Sequence, residues 1–411
     1  MIGRHTCTWN IVFLGAALAL IETCKAGYLS GEKKVDGSGK NVLVFGGNGF
    51  MGASTVQGLI QDGYSVTIVN RGNWYWDSRY RIKPHVHSII CDRKKPLRGC
   101  KELLDKLEGL KLHAVVDFSA YGPYEVQQAI STLTAKNVGM YVYISSDSVY
   151  EVCIKNHDGP SVETDAVRPT DEDIREEMSS KDSYGNRKLQ GEEVLSESVQ
   201  QGGFPYVALR LPDVVGPRDS TYRWWIYQLW IRMNDYVDKT ISLPRYLNNY
   251  PMSLVYVEDV AKVILNIIAL DESRFETIKN EAFNLAHPET LTLNQLFDGI
   301  RERTIDSKFN YTLDESNNAI YLFPSVKKGP INVTKAELHL NWNPTPWETV
   351  FSQTVKFYED VMIEPGYGQQ RTEIINILAR EIIYENRSLF YKGIQELYNL
   401  DLGFHDIKDE L

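Results

Sequence analysis

Short apolar runs alternate with amphipathic stretches from about residue 41 to residue 210. Asn41-Val42-Leu43-Val44-Phe45 is apolar and β-branched, which predicts a strand covered on both faces. Ala53 to Ile60 places its apolar residues at helical spacing and stops at Gly63. Ser65–Val69, Ser88–Asp92 and Val115–Phe118 predict further strands. Asn137–Ile144 reads as another core strand, and it runs into Ser145-Ser146-Asp147-Ser148-Val149-Tyr150. A long amphipathic helix then opens at Tyr184 and passes through Leu189, Val194 and Leu195. Strands and helices in this alternation predict an α/β fold, a doubly wound parallel (Rossmann) sheet with right-handed crossovers.

We place this domain at residues 41–212 and a smaller α/β substrate lobe at 213–350, with 253–270 returning to the first domain. Arg223–Trp230 predicts an aromatic helix that packs in the core or in a lid. Ala282–Ala286 predicts a strand, and Thr292 caps the helix after it; both are assigned to the smaller lobe. Residues 351–407 are helical and rich in tyrosine, with two readings, a docking helix pair or a homodimer contact.

The first strand leads into Gly46-Gly47-Asn48-Gly49-Phe50-Met51-Gly52, and a helix follows. In that setting the first glycine permits the tight turn and the second lets a phosphate approach the backbone. The third lets helix and strand pack closely. The helix N-terminus favours the negative charge. The next strand ends at Asn70-Arg71, where an acidic residue would bind a ribose 2′-hydroxyl. Arg71 instead suits a 2′-phosphate, so NADP is the expected cofactor, with NAD the alternative.

Tyr184 and Lys188 lie four apart and share a helical face. A free tyrosine has a pKa of about 10. A nearby ammonium and a positively charged nicotinamide ring favour the phenolate, which makes Tyr184 a general acid or base. Lys188 is expected to bind the nicotinamide ribose as well, and Ser146 to orient the reacting oxygen; Tyr150 is the alternative acid.

In these residues the chain resembles the extended short-chain dehydrogenase/reductases, the NAD-dependent epimerase/dehydratase family. The resemblance rests on Gly46, Gly49 and Gly52, on Asp92, on Ser119-Ala120, and on Ser146 with Tyr184 and Lys188. It continues through Leu209-Arg210-Leu211-Pro212, Gly216-Pro217-Arg218-Asp219 and Ser253–Ala261, and covers roughly residues 40 to 350. It implies that Asp92 contacts adenine and that Ser119 and Ala120 line the nicotinamide side. It implies a small-molecule substrate, a nucleotide sugar or a related carbonyl or alcohol. The phrases around Asn70 and Asp117 are similar to an atypical subgroup that includes the chloroplast stem-loop-binding proteins, some of which lack the catalytic set. Two other functions are weighed. One is an NADPH reductase of a lipid or steroid carbonyl, its pocket lined by Trp224, Trp225 and Trp230. The other is a dinucleotide-binding module without turnover.

Residues 1–26 read as a secretory signal peptide, 27–40 as a linker, and Lys408-Asp409-Glu410-Leu411 as an address for the ER-retrieval receptor. The expected location is the ER lumen, with sequons at Asn310, Asn332 and Asn386. Cys7 and Cys24 fall in the signal; for Cys91, Cys100 and Cys153 a Cys91–Cys100 bridge is the alternative, and buried free thiols are expected because Cys91 sits at a buried strand end. No zinc-like Cys/His spacing occurs, so no metal is expected. A net charge of −10 argues against nucleic acid. Arg93-Lys94-Lys95 and Lys327-Lys328 are read as solvated surface.

Overall fold

Seven parallel strands form the central sheet of the computed structural model, which describes residues 37–400 except 238, 305–308, 317, 318 and 320. The signal-like segment and the Lys408–Leu411 tail lie outside the described residues. The strands are β1 (Asn41–Phe45), β2 (Ser65–Asn70), β3 (His87–Ile90), β4 (Leu112–Asp117), β5 (Tyr141–Ser146) and β6 (Tyr206–Leu211). Two short strands, β7 (Asp213–Val215) and β9 (Leu254–Tyr256), pair with each other; β8 (Ile241–Pro244) pairs with β11 (Tyr311–Asp314). The seventh strand of the sheet is β10 (Glu281–Asn284).

In space the order is β10-β6-β5-β4-β1-β2-β3. The order reverses between β1 and β4, and ligands of such sheets bind beyond the carboxyl ends of the strands at that crevice. The central strands have almost no accessible surface, which is why they are continuous apolar runs.

Three features differ from expectation. β10 lies beside β6 in the large sheet, where Phe283 packs in the core, and not in the smaller lobe. The strand expected at 137–144 runs from Tyr141 to Ser146, because residues 137–139 turn onto β4 through Gly139 N and Leu112 N. Cys91 and Cys100 are joined in a disulfide, and of the expected thiols only Cys153 is free. The buried strand end at Cys91 favoured free thiols, but the next turn brings Cys100 back to within a Cα separation of 6.1 Å, which gives the alternative pairing. The bridge closes a loop of sequence separation 9. Cys100→Ser is expected to lower the unfolding free energy by about 3 kcal/mol, the loop-closure scale for a ring of this size, read in a denaturant titration.

Helix α1 (Phe50–Gln61) follows the glycine loop, and α2 (Lys101–Leu107) and α3 (Pro123–Thr132) flank the sheet. The site helix is α4 (Ser183–Gln200). The aromatic helix α5 (Arg223–Arg232) is buried almost throughout, with Trp224 and Trp225 in the core. Thr292 caps its helix as expected, in a reciprocal box with Gln295. The chain then runs into α6 (Trp347–Ile363), α7 (Gly368–Ile377) and α8 (Arg387–Tyr398), which fold back on their own chain. Tyr358 of α6 donates to Gly216 O at 3.0 Å and accepts from Asp219 N at 3.2 Å.

The loop after β2 is clasped to this region. Trp76 is buried among the rings of Tyr222, Trp225, Phe357, Tyr358 and Tyr367. Beside it Arg218 donates twice to Asp77, at 2.8 and 2.7 Å, and Tyr367 donates to the same carboxylate. The loop also grips the glycine turn: Asn48 donates to Asn73 O, and Ser78 donates to Asn48 O at 3.0 Å.

Candidate active site

At the carboxyl ends of the strands lies a cleft of about 1750 Å³. That is larger than an ordinary single-ligand pocket. One wall is the glycine loop. Gly46 has φ +81°, in the left-handed region that favours glycine. A Cβ on Gly52 would stand 2.3 Å from Gly46 O, so α1 can pack here only without one. At Gly49 a Cβ would meet nothing closer than Tyr75 at 3.5 Å. That position is open on the side where a phosphate would approach.

The cleft is lined by Gly46, Gly49, Phe50, Met51 and Gly52, then by Asn70, Arg71, Asp92 and Ser119. Asn70 is buried; its Oδ1 accepts from Gly72 N at 2.6 Å, and its Nδ2 has no partner. Arg71 is exposed and has no ion-pair partner among the described residues. These features fit a dinucleotide. Ala120 does not line the cleft; it is buried, and its carbonyl accepts from Lys188.

Lys188 is 3% exposed. Its Nζ donates to Ala120 O and Ile144 O, each at 2.7 Å. Burial lowers its pKa to about 8. The Nζ lies 5.8 Å from the centre of the Tyr184 ring. Asp182 caps α4 by accepting from Gly185 N at 2.8 Å. A Cβ on Gly185 would be 2.1 Å from Ser148 O. The glycine after the tyrosine therefore lets α4 lie directly on the turn that follows Ser146. Gly185→Ala is expected to push α4 off that turn and to cut turnover more than cofactor affinity, as separate kinetic and binding titrations would show.

Ser146 accepts from Ser148 N at 3.2 Å and shares a hydrogen bond with Tyr184. Burial, then Tyr121 and Asp147, holds the Tyr184 pKa above the ordinary value, against the pull of Ser146. The expected phenolate depends on the positive charge of a nicotinamide ring as well as on Lys188; the protein's own groups favour the phenol. Tyr150 is not in the cleft; it donates to Asn284 Oδ1 at 2.7 Å and accepts from Arg210 at 3.0 Å, as part of a buried network with Glu192.

Several lining residues were not anticipated. Asp147 is buried beside Ser146; burial, then Asp213, pushes its carboxyl well above the usual range. Its position after Ser146 was visible, but its burial against Asp213 was not. Asp213 accepts from Ser325 N at 2.7 Å and pairs with Arg223. Lys327 and Lys328 line the cleft, with their backbone N–H groups held by Glu151. Lys94 also lines it. Arg93 is buried against Asp117 at 2.9 Å, over the Phe45 ring. Neither basic cluster is simply solvated surface. Trp224, Trp225 and Trp230 do not line the cleft.

The family model described as "NAD dependent epimerase/dehydratase family" matches residues 42–286. A curated protein of Methanocaldococcus jannaschii named "Putative UDP-glucose 4-epimerase" is 23% identical over 318 residues, covering 74% of this chain and 93% of that one. Among solved structures, the Thermotoga maritima UDP-glucose 4-epimerase with UDP-glucose aligns with a TM-score of 0.57 at 20% identity, covering 78% of this chain and 99% of its own. The Bacillus anthracis dTDP-glucose 4,6-dehydratase in complex with NAD aligns with a TM-score of 0.58 at 16% identity, covering 78% and 97%.

Proposed function

The chain belongs to the NAD-dependent epimerase/dehydratase family and is an enzyme of the extended short-chain class; from that premise we propose that it acts on a nucleotide sugar by hydride transfer. The carrying observation is that one cleft unites the glycine loop, the Ser146–Tyr184–Lys188 group and a polar far end. That far end presents Asp147, Asp213, Thr221, Arg223, Lys327 and Lys328, suited to hydroxyls and phosphates and unsuited to a steroid or lipid carbonyl. The tryptophans that an apolar pocket would need are in the core.

A bound dinucleotide would supply the hydride acceptor and, when oxidised, positive charge near the phenol. Tyr184 exchanges the proton of the reacting hydroxyl at its phenol oxygen. Ser146 hydrogen-bonds that same oxygen and holds it in line. Lys188 ties the Ala120 carbonyl, after β4, to the Ile144 carbonyl of β5 and places a cation beside the ring. The test is to incubate the protein with UDP-glucose or dTDP-glucose and resolve the products by chromatography. Conversion to the 4-epimer or to a 4-keto-6-deoxy sugar supports the proposal; inertness toward nucleotide sugars together with turnover of apolar carbonyls overturns it.

We propose NADP as the preferred cofactor, because Arg71 is open to the cleft and unpaired. Arg71→Glu is expected to weaken NADP by about 1–3 kcal/mol more than NAD, the scale of a lost charge-assisted hydrogen bond. Equal losses for the two would remove Arg71 from the 2′-phosphate. We also propose a secretory-pathway setting, supported by the Cys91–Cys100 bridge and the exposed sequon at Asn310. Protein from secreting cells should lose mass on glycosidase treatment; an unchanged mass would count against it.

A further inference from the structure

Cys91 follows β3 and lines the cleft together with Asp92, Arg93 and Lys94. Its N–H donates to Asn70 O at 2.7 Å, so it is tied to the strand end that presents Asn70 and Arg71. Cys100 precedes α2, and both cysteines pack in the same apolar cluster under the sheet. Between them the chain makes tight turns, closed by Lys95 N to Asp92 O and by Cys100 N to Leu97 O, both 2.9 Å. The far part of this loop is anchored on α3, through Leu97 N to Gln128 at 3.1 Å and Arg98 to Ser131 O at 2.7 Å. Asp92 itself is held by bonds from Lys94 N and Lys95 N, within its own turn. Arg93, next to Asp92, is held by Asp117 and Glu125 O, and the covalent bridge adds the tie between the base of that turn and the start of α2.

We propose that the Cys91–Cys100 disulfide is a redox-controlled part of the dinucleotide site, so that its reduction weakens cofactor binding. The proposal rests on the reading of this cleft as a dinucleotide site. The reductant is a dithiol. One of its thiolates attacks the Sγ of Cys100, the less buried of the two residues, and Cys91 leaves as a thiolate and takes up a proton. The second thiol of the reductant then displaces Cys100, which is also protonated. Two electrons enter the protein, two thiols form, and the reductant ends as its own disulfide. Freed of the bridge, the turn carrying Asp92 samples more conformations, and binding must then order it.

Coupling of this kind is reciprocal. If reduction weakens the cofactor tenfold, saturating cofactor makes the disulfide midpoint about 30 mV more negative.

The experiment is a calorimetric titration of NADP+ and NAD+ into the oxidised protein, the same protein held in excess dithiothreitol, and Cys100→Ser. The expected result is affinity at least tenfold weaker in the reduced protein. Re-oxidation restores it, and Cys100→Ser is equally weak with or without reductant. Equal affinities in oxidised and reduced wild type overturn the proposal, and so does a midpoint unmoved by cofactor. Binding of neither dinucleotide to either form overturns the cofactor reading instead. Should Cys100→Ser fail to fold by circular dichroism, the reversible reduction of the wild type decides alone.

Discussion

Tyr184→Phe is expected to slow the chemical step by about 10²–10⁴-fold, the scale of a lost general acid or base, with little change in dinucleotide affinity. The ring packs at the cleft mouth and is 38% exposed, so phenylalanine keeps the shape and removes only the hydroxyl. Ser146→Ala should give a smaller loss, because its hydroxyl orients the reacting oxygen and does not take the proton. The measurement is single-turnover hydride transfer, followed by nicotinamide absorbance, beside a binding titration. If Tyr184→Phe transfers hydride at the native rate, the protein is a binder without this chemistry or uses another acid. Asp147, buried next to Ser146 with its carboxyl pKa raised by burial and by Asp213, would then be the group to test; Tyr150 is locked away from the cleft.

Lys188→Met is expected to reduce both turnover and cofactor affinity, and also to change how stability depends on pH. Burial depresses the pKa of Lys188 from 10.5 to about 8. Between those values the unfolded chain binds a proton that the native protein does not, so unfolding free energy rises with pH. The contribution of this group is fully present above 10.5 and is lost as pH falls through about 8. Its span is about 3 kcal/mol at 1.36 kcal/mol per unit. Buried tyrosines such as Tyr143, with raised pKa, act in the opposite sense as pH passes 10. The wild-type-minus-Lys188→Met difference therefore isolates the lysine. Denaturant titrations from pH 7 to 10.5 that give parallel curves for the two proteins would show that Lys188 is not the buried charge the fold makes it. The variant also leaves Ala120 O and Ile144 O without their donor, so an overall loss of stability is expected beside the change in slope.

What the sequence revealed was local. The strand before Gly46 and the helix after Gly52 are contiguous with the glycines, so their joint meaning is readable without contacts. Tyr184 and Lys188 are joined by helical spacing, which is also local. What stayed hidden depends on distant chain. Gly185 is required by Ser148 O, which arrives from the end of β5. Lys327 and Lys328 reach the cleft because Glu151 holds their backbone there. β10 has the apolar character of any strand, and only its pairing with β6 decides which sheet it joins. The Cys91–Cys100 bridge needed the turn between them, which no periodicity describes.

The clasp around Trp76 bears on how this protein could be shortened, or how it was assembled. The family match stops at residue 286, and a chain ending at residue 350 would look like a sensible minimal enzyme. Such a chain would lose Phe357, Tyr358 and Tyr367, three of the five rings around Trp76, and the phenol that holds Gly216 and Asp219. The damage would surface far from the cut. Asn73 and Ser78 grip Asn48, so a slackened loop would let the glycine turn drift, and the truncated protein would show a cofactor defect although no removed residue lines the cleft. Helix α6 and the turn after it are thus not a detachable appendage. Any relative that lacks them must brace its glycine turn by other means, and exchanging this region between relatives should succeed only if the loop after β2 travels with it.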